Sequence, residues 1–327
     1  MEAAANIIIM ARNISSASGR GSRRAMQVSV LGPIVAAALL ATASPAAASD
    51  EAGPVRIAKD IPYLTTGGKA LHLDVYVHSA AAKAPTPVLI HFHGGGWARG
   101  ARPESWTGFR PYLAAGMSVV TVQYRLAGEA PAPAAVQDAR CALHWVSANA
   151  AEYGFDTSRI IVSGTSAGGH LALMAGLLST DNDIDLDACK AAPKAAAILD
   201  FYGPADLTGG GTVTDARSPT IANWIGGGSD ANAMARKMSP ITHLAPDSPP
   251  IFIAHGDADP IVPVTQSIDL KQRLDALGVP SDLFIAIGGG HGKFPPEQRS
   301  AMMKRAIAFL CGRKLLSAGA CPAPEGI

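Results

Sequence analysis

Gly164-Thr165-Ser166-Ala167-Gly168 is a stretch whose residue types and spacing could do covalent chemistry. A G-x-S-x-G run at a sharp strand-to-helix turn strains the backbone of its serine and lifts the hydroxyl clear of a sheet. Small flanking residues are needed because such a turn brings backbone segments close together. Ser166 is therefore a candidate nucleophile. N–H groups at the start of the following helix, Ala167 first, would point at negative charge forming beside it. A serine hydroxyl is a poor nucleophile unaided, so a base and an acid that orients the base are also required.

His291, set in Gly288-Gly289-Gly290-His291-Gly292, has the surroundings of such a base. It follows an apolar run at 283–287, and a glycine-flanked histidine at the C-terminal end of a strand can swing over a nucleophile. The other histidines have structural readings: His72 and His78 on a leading hairpin, His144 and His170 on helices, His243 in an insertion, His255 closing a strand. His91 and His93 alternate on one strand without a carboxylate cluster, so no metal is expected. For the acid, the residues leave three candidates open. Asp257 and Asp259 follow the strand at 251–254, and Asp200 ends the preceding one. Upstream, His93-Gly94-Gly95-Gly96-Trp97 follows the strand at 88–92. Backbone N–H groups of Gly94, Gly95 and Gly96, joined by that of Ala167, would form an oxyanion hole. A phosphate-cradling loop would need a Lys-Ser/Thr ending, which is missing. Trp97 and Trp224 are candidates to line an acyl or alcohol pocket, with burial in the core as the competing reading.

The elements that must hold these groups follow from hydrophobic patterning. Residues 71–77 alternate apolar and polar, whereas 88–92, 118–122, 160–162, 196–199, 251–254 and 283–287 are short and apolar, like buried parallel strands. Helical candidates at 133–153, 168–178, 264–277 and 297–310 lie between them. The alternation predicts an α/β fold: a mostly parallel, doubly wound sheet led by an antiparallel hairpin. Residues 204–250 break the rhythm with two triple-glycine runs and read as an insertion or lid before the acid-bearing strand. Residues 49–316 are expected to form a single catalytic domain, and 317–327 a tail.

With 48% apolar and 16% charged residues, the chain can bury a large core and is not disordered. Its net charge of +1 offers nucleic acid no electrostatic footprint. Arg12, Arg20, Arg23 and Arg24 precede an apolar run at 28–43 and then Ala46-Ala47-Ala48. Residues 1–48 thus read as a signal peptide cleaved near Ala48-Ser49, too short in its apolar run to anchor the chain in a bilayer. The expected product is exported, periplasmic or secreted, with no stable membrane insertion. Four cysteines in an exported chain favour disulfides. Cys311 and Cys321 are close enough to pin the tail, which leaves Cys141 with Cys189.

Taken together, residues 93–97, Tyr124-Arg125-Leu126-Ala127, the 164–168 turn, the 255–263 loop and His291 resemble the α/β-hydrolase serine esterases. The pattern is similar to the HGGG carboxylesterases related to hormone-sensitive lipase, and closer to the bacterial acetyl-xylan/feruloyl esterase-like group. The resemblance spans about residues 57–310. The family's H-G-x-x-D-x-x-V-P pattern falls on His255, Gly256, Asp259, Val262 and Pro263, which implies Asp259 as the acid and leaves Asp257 to brace the loop. Gly128 departs from the proline many relatives carry, and 204–250 matches no substrate-specific pattern. The resemblance implies an exported esterase for short-chain carboxylic esters that works through Ser166, His291 and Asp259 without a cofactor. Acetyl or feruloyl esters of plant polysaccharides are the candidate substrates, and the expected partner is such a small-molecule or polysaccharide-linked ester. The alternatives are a prolyl-oligopeptidase-like peptidase, an arylformamidase-type amidase, and a catalytically dead binding module on the same fold.

Overall fold

The computed structural model describes Pro54 and residues 56–209 and 218–321. The expected signal peptide at 1–48, residues 210–217 of the expected insertion and the end of the tail lie outside the described residues. Eight strands form one sheet in the order β1-β2-β4-β3-β5-β6-β7-β8. They are β1 (Arg56–Thr66), β2 (Lys69–Val77), β3 (Thr86–Phe92), β4 (Ser118–Val122), β5 (Phe155–Thr165), β6 (Ala197–Phe201), β7 (Ile251–Gly256) and β8 (Ser281–Ala286). β1 and β2 make the antiparallel hairpin, β2 meets β4 antiparallel, and the remaining pairings are parallel. The helices are α1 (Arg110–Ala114), α2 (Ala134–Ala148), α3 (Ala150–Tyr153), α4 (Ala167–Leu177), α5 (Pro219–Ile225), α6 (Ala231–Lys237), α7 (Thr265–Ala276) and α8 (Pro296–Gly312).

The continuous apolar runs of the central strands have a simple cause: both sheet faces are covered. Val88, Ile90, Val162 and Ile198 face a core shared with Val136 and Leu143 of α2 and Leu171 of α4. Their alternating neighbours Leu89, Ile161 and Leu199 face Leu113 of α1 and Leu310 of α8. Every residue of α4 is buried, so the helix that follows Ser166 is the most enclosed of the set.

Three elements differ from the sequence reading. The helix expected over 133–153 breaks at Asn149, whose Nδ2 donates to the Trp145 carbonyl at 2.8 Å. β5 begins five residues before its apolar centre, because Asp156, Thr157 and Ser158 are polar, half-exposed or exposed strand residues. The stretch at 204–250 carries α5 and α6, and Trp224, Ile225, Ala235 and Met238 from it are buried in the main core. Disulfides join Cys141 to Cys189 and Cys311 to Cys321, the pairs the spacing suggested. No helix among the described residues is long and apolar enough to cross a membrane.

Candidate active site

Ser166 stands between the last residue of β5 and the first of α4, with φ 55° and ψ −122°. A side-chain-bearing residue avoids that region unless its surroundings enforce it. The enforcement is visible in the flanking glycines. A Cβ on Gly164 would lie 2.0 Å from the Gly168 carbonyl oxygen, and one on Gly168 would lie 2.1 Å from that of Phe92. The Ser166 N–H donates to the Phe201 carbonyl at 2.9 Å, which ties the turn to β6.

Three strand ends then converge. Nε2 of His291, in the loop after β8, is 2.8 Å from Oγ of Ser166. Nδ1–H of His291 donates to Oδ2 of Asp259, in the loop after β7, at 2.7 Å. Oδ1 of Asp259 accepts the N–H groups of Ile261 at 2.8 Å and Val262 at 3.0 Å. Burial works against the Asp259 carboxylate, but hydrogen bonds from His255, His291, Ile261 and Val262 outweigh it and hold its pKa well below the usual range. The ionised acid is thus built into the loop.

The two other candidate acids lie elsewhere. Oδ1 of Asp257 accepts the Gly288 N–H at 2.6 Å and so links the loops after β7 and β8. Asp200 is fully buried; its Oδ1 accepts only the Gly203 N–H at 3.0 Å, and Oδ2 has no partner among the described residues. Burial pushes its pKa up to about 8, against that single donor.

The glycine loop lies directly against the serine. A Cβ on Gly94 would sit 2.9 Å from the Thr165 carbonyl oxygen and 3.4 Å from the Ser166 Cβ. Gly95 (φ 129°) and Gly96 (φ 61°) take conformations that side chains disfavour. Among the described residues, no acceptor takes the N–H of Gly95 or Gly96. The Ala167 N–H opens α4, where a helix has no internal acceptor for it. Tyr124 braces the loop from below, stacking on His93 at 4.3 Å while its hydroxyl donates to the His93 carbonyl at 2.8 Å.

The expected pocket role of Trp97 and Trp224 is corrected by the structure. Trp97 is 2% exposed and Trp224 0%, and the two rings stack at 4.5 Å. Trp97 Nε1–H donates to Nδ1 of His170 at 3.3 Å, and His170 Nε2 faces the Met238 carbonyl at 2.7 Å. Burial lowers the His170 pKa to about 4, so the cluster is a neutral interior brace between the glycine loop, α4 and α5. Open space flanks the site on the side of Thr165, Tyr202 and Gly292. A cavity of about 650 Å³ is lined by Thr165, Phe201, Tyr202, Gly292, Phe294 and Met302 among others. Tyr202, edge-on to His291 at 4.9 Å, belongs to no sequence motif; its only signal is its place at the C-terminal end of a buried strand.

The sheet order and the turn that carries Ser166 define the class: the chain has the α/β-hydrolase fold. It belongs to the BD-FAE family, whose model matches residues 73–274. Esterase LipQ of Mycobacterium tuberculosis is 30% identical over 259 residues, covering 77% of this chain and 61% of the relative. The chain therefore spans less than two thirds of that relative's length. Among solved structures, a truncated carbohydrate esterase from gut microbiota is 26% identical with a TM-score of 0.64, covering 80% of this chain and 99% of the other. Esterase Est2 of Thermogutta terrifontis is 25% identical with a TM-score of 0.65, covering 85% and 96%.

Proposed function

We propose that the chain hydrolyses short-chain carboxylic esters through an acyl-enzyme. Ser166 Oγ attacks the ester carbonyl while His291 Nε2 takes its proton, and Asp259 holds the imidazolium through Nδ1–H. N–H groups from Gly94, Gly95, Gly96 and Ala167 receive the oxyanion. His291 protonates the departing alcohol, and water repeats the sequence on the acyl-enzyme. The observation that carries this reading is the unbroken chain from Ser166 to His291 at 2.8 Å and on to Asp259 at 2.7 Å. Ser166→Ala should fold normally, lose labelling by a fluorophosphonate probe and lower ester turnover to roughly the 10³–10⁴-fold residual left in triad knockouts. Near-normal turnover would refute it.

The preference for short acyl groups is supported by the residues at 204–250. Among the described residues of that stretch, Trp224, Ile225 and Met238 are packed inside and Ile221 and Met234 are half-buried against the core, rather than displayed to an oil–water interface. Across nitrophenyl esters, kcat/KM should peak from acetyl to butyryl and fall about tenfold or more at decanoyl. A long-chain optimum would overturn the preference. Export, after cleavage near Ala48-Ser49, is supported by the two disulfides, which persist in oxidising compartments. Such an address, with the likeness to a carbohydrate esterase, favours acetyl or feruloyl esters on polysaccharides as substrates.

A further inference from the structure

The proposed mechanism leaves one buried histidine beside the acid without a task. His255, near the end of β7, is fully buried. Its Nε2 lies 2.9 Å from the Val262 carbonyl oxygen and 3.3 Å from Oδ2 of Asp259. Both neighbours are acceptors, so their presence assigns the proton to Nε2. On the other side of the ring, Nδ1 is 2.7 Å from Oγ of Ser267 on α7, whose hydroxyl donates to it. Oδ2 of Asp259 is the same oxygen that receives Nδ1–H of His291. One carboxylate oxygen is thus shared by two histidines, one locked in the core and one facing the nucleophile.

We propose that His255 is a positioning residue for Asp259: its Nε2–H, shared between the Val262 carbonyl and Oδ2, helps fix Oδ2 in line with His291 and draws off part of that oxygen's charge. The inference rests on the esterase reading of the site. The first consequence is geometric. Oδ1 is tied to two backbone N–H groups, and His255 gives Oδ2 a hold that does not depend on His291, so the carboxylate stays aimed while His291 exchanges protons with substrate. The second is electrostatic. Each donor to a carboxylate makes it a weaker base. Without His255, more negative charge would face His291, its imidazolium would be held more tightly, and less free base would remain at low pH. Among the described residues, the ionisable groups near the pair include Tyr202 and Asp200 on the β6 side and Asp257 on the acid loop. α7 presents the Ser267 hydroxyl. Burial raises Tyr202 and pushes Asp200 up to about 8, so neither changes charge across the acid limb.

The test is kcat and kcat/KM for a nitrophenyl ester against pH in the wild type, His255→Leu, His255→Gln and Ser267→Ala. His255→Leu should lower kcat about 10- to 100-fold with KM little changed. It should also move the acid limb of kcat/KM to higher pH by about half a unit or more. His255→Gln keeps an N–H at the ε position and should restore most of kcat and the wild-type limb. Ser267→Ala releases the far side of the ring and should shift the limb in the same direction by less. An unmoved limb in His255→Leu overturns the proposal whether or not kcat falls, since lost packing alone lowers kcat without touching the limb. If that variant does not fold, an unmoved limb in Ser267→Ala overturns it equally. A wild type without ester turnover would instead remove the underlying reading of the site.

Discussion

Asp200 and Asp259 follow one another along the sheet, at the end of β6 and just past β7, and both side chains are fully buried. Burial disfavours the charged form of each. Their ionisation nevertheless runs in opposite directions: Asp200 is pushed up to about 8, and Asp259 is held well below the usual carboxylate range. The difference lies in the donors. Asp200 receives one N–H, from Gly203, whereas Asp259 faces donors on Ile261, Val262, His291 and His255. The turn after β7 curls its own backbone onto Oδ1 and leaves Oδ2 to the histidines. A buried carboxylate able to steady a cation must be made by the loop around it; position at a strand end is not enough.

The harshest test of this contrast is to remove the charge from each acid in turn. Asp259→Asn should cost about 10⁴ in kcat by mispairing His291. Asp200→Asn, which replaces an acid already uncharged at neutral pH, should keep kcat within about threefold. Similar losses from both would break the comparison. Asp257→Asn removes the acceptor for the Gly288 N–H, a bridge between loops, and should cost less than about tenfold in kcat. A loss as large as that of Asp259→Asn would mean the acid had been misassigned.

The smallest effect is in stability. The folded-state pKa of Asp200 lies above its ordinary value of 3.8, so the folded protein keeps a proton that the unfolded chain releases. Its contribution is therefore fully present below about 4 and is lost as pH rises toward about 8. Asp259 has the opposite sign: its contribution is present above the unfolded value and lost as pH falls. Relative to wild type, the Tm of Asp200→Asn should rise between pH 4.5 and 8 by about 2 °C or more. A flat difference would show that Asp200 is not held protonated.

Much of the site is legible in contiguous residues. The glycines around Ser166 and in the 94–96 loop announce backbone that Cβ atoms would block, and nearest approaches of 1.9–2.9 Å to a Cβ at those positions show why. The apolar runs announce strands covered on both faces, and the alternation with helices announces the parallel sheet. The residues alone leave Asp200, Asp257 and Asp259 open, and the family pattern selects among them. Trp97 and Trp224 read as pocket-lining because an aromatic beside a functional loop looks the same whether it faces solvent or another ring. Tyr202 carries no mark in the sequence of its place beside His291, and the family pattern that contains His255 does not say that its ring meets the Asp259 carboxylate. The division has a physical cause. Backbone strain, close approach and hydrophobic period are demands that neighbouring residues make on one another. Charge state, and the choice between core and pocket, depend on how many donors and rings arrive from segments far away in the chain, and those meet only when the sheet closes around them.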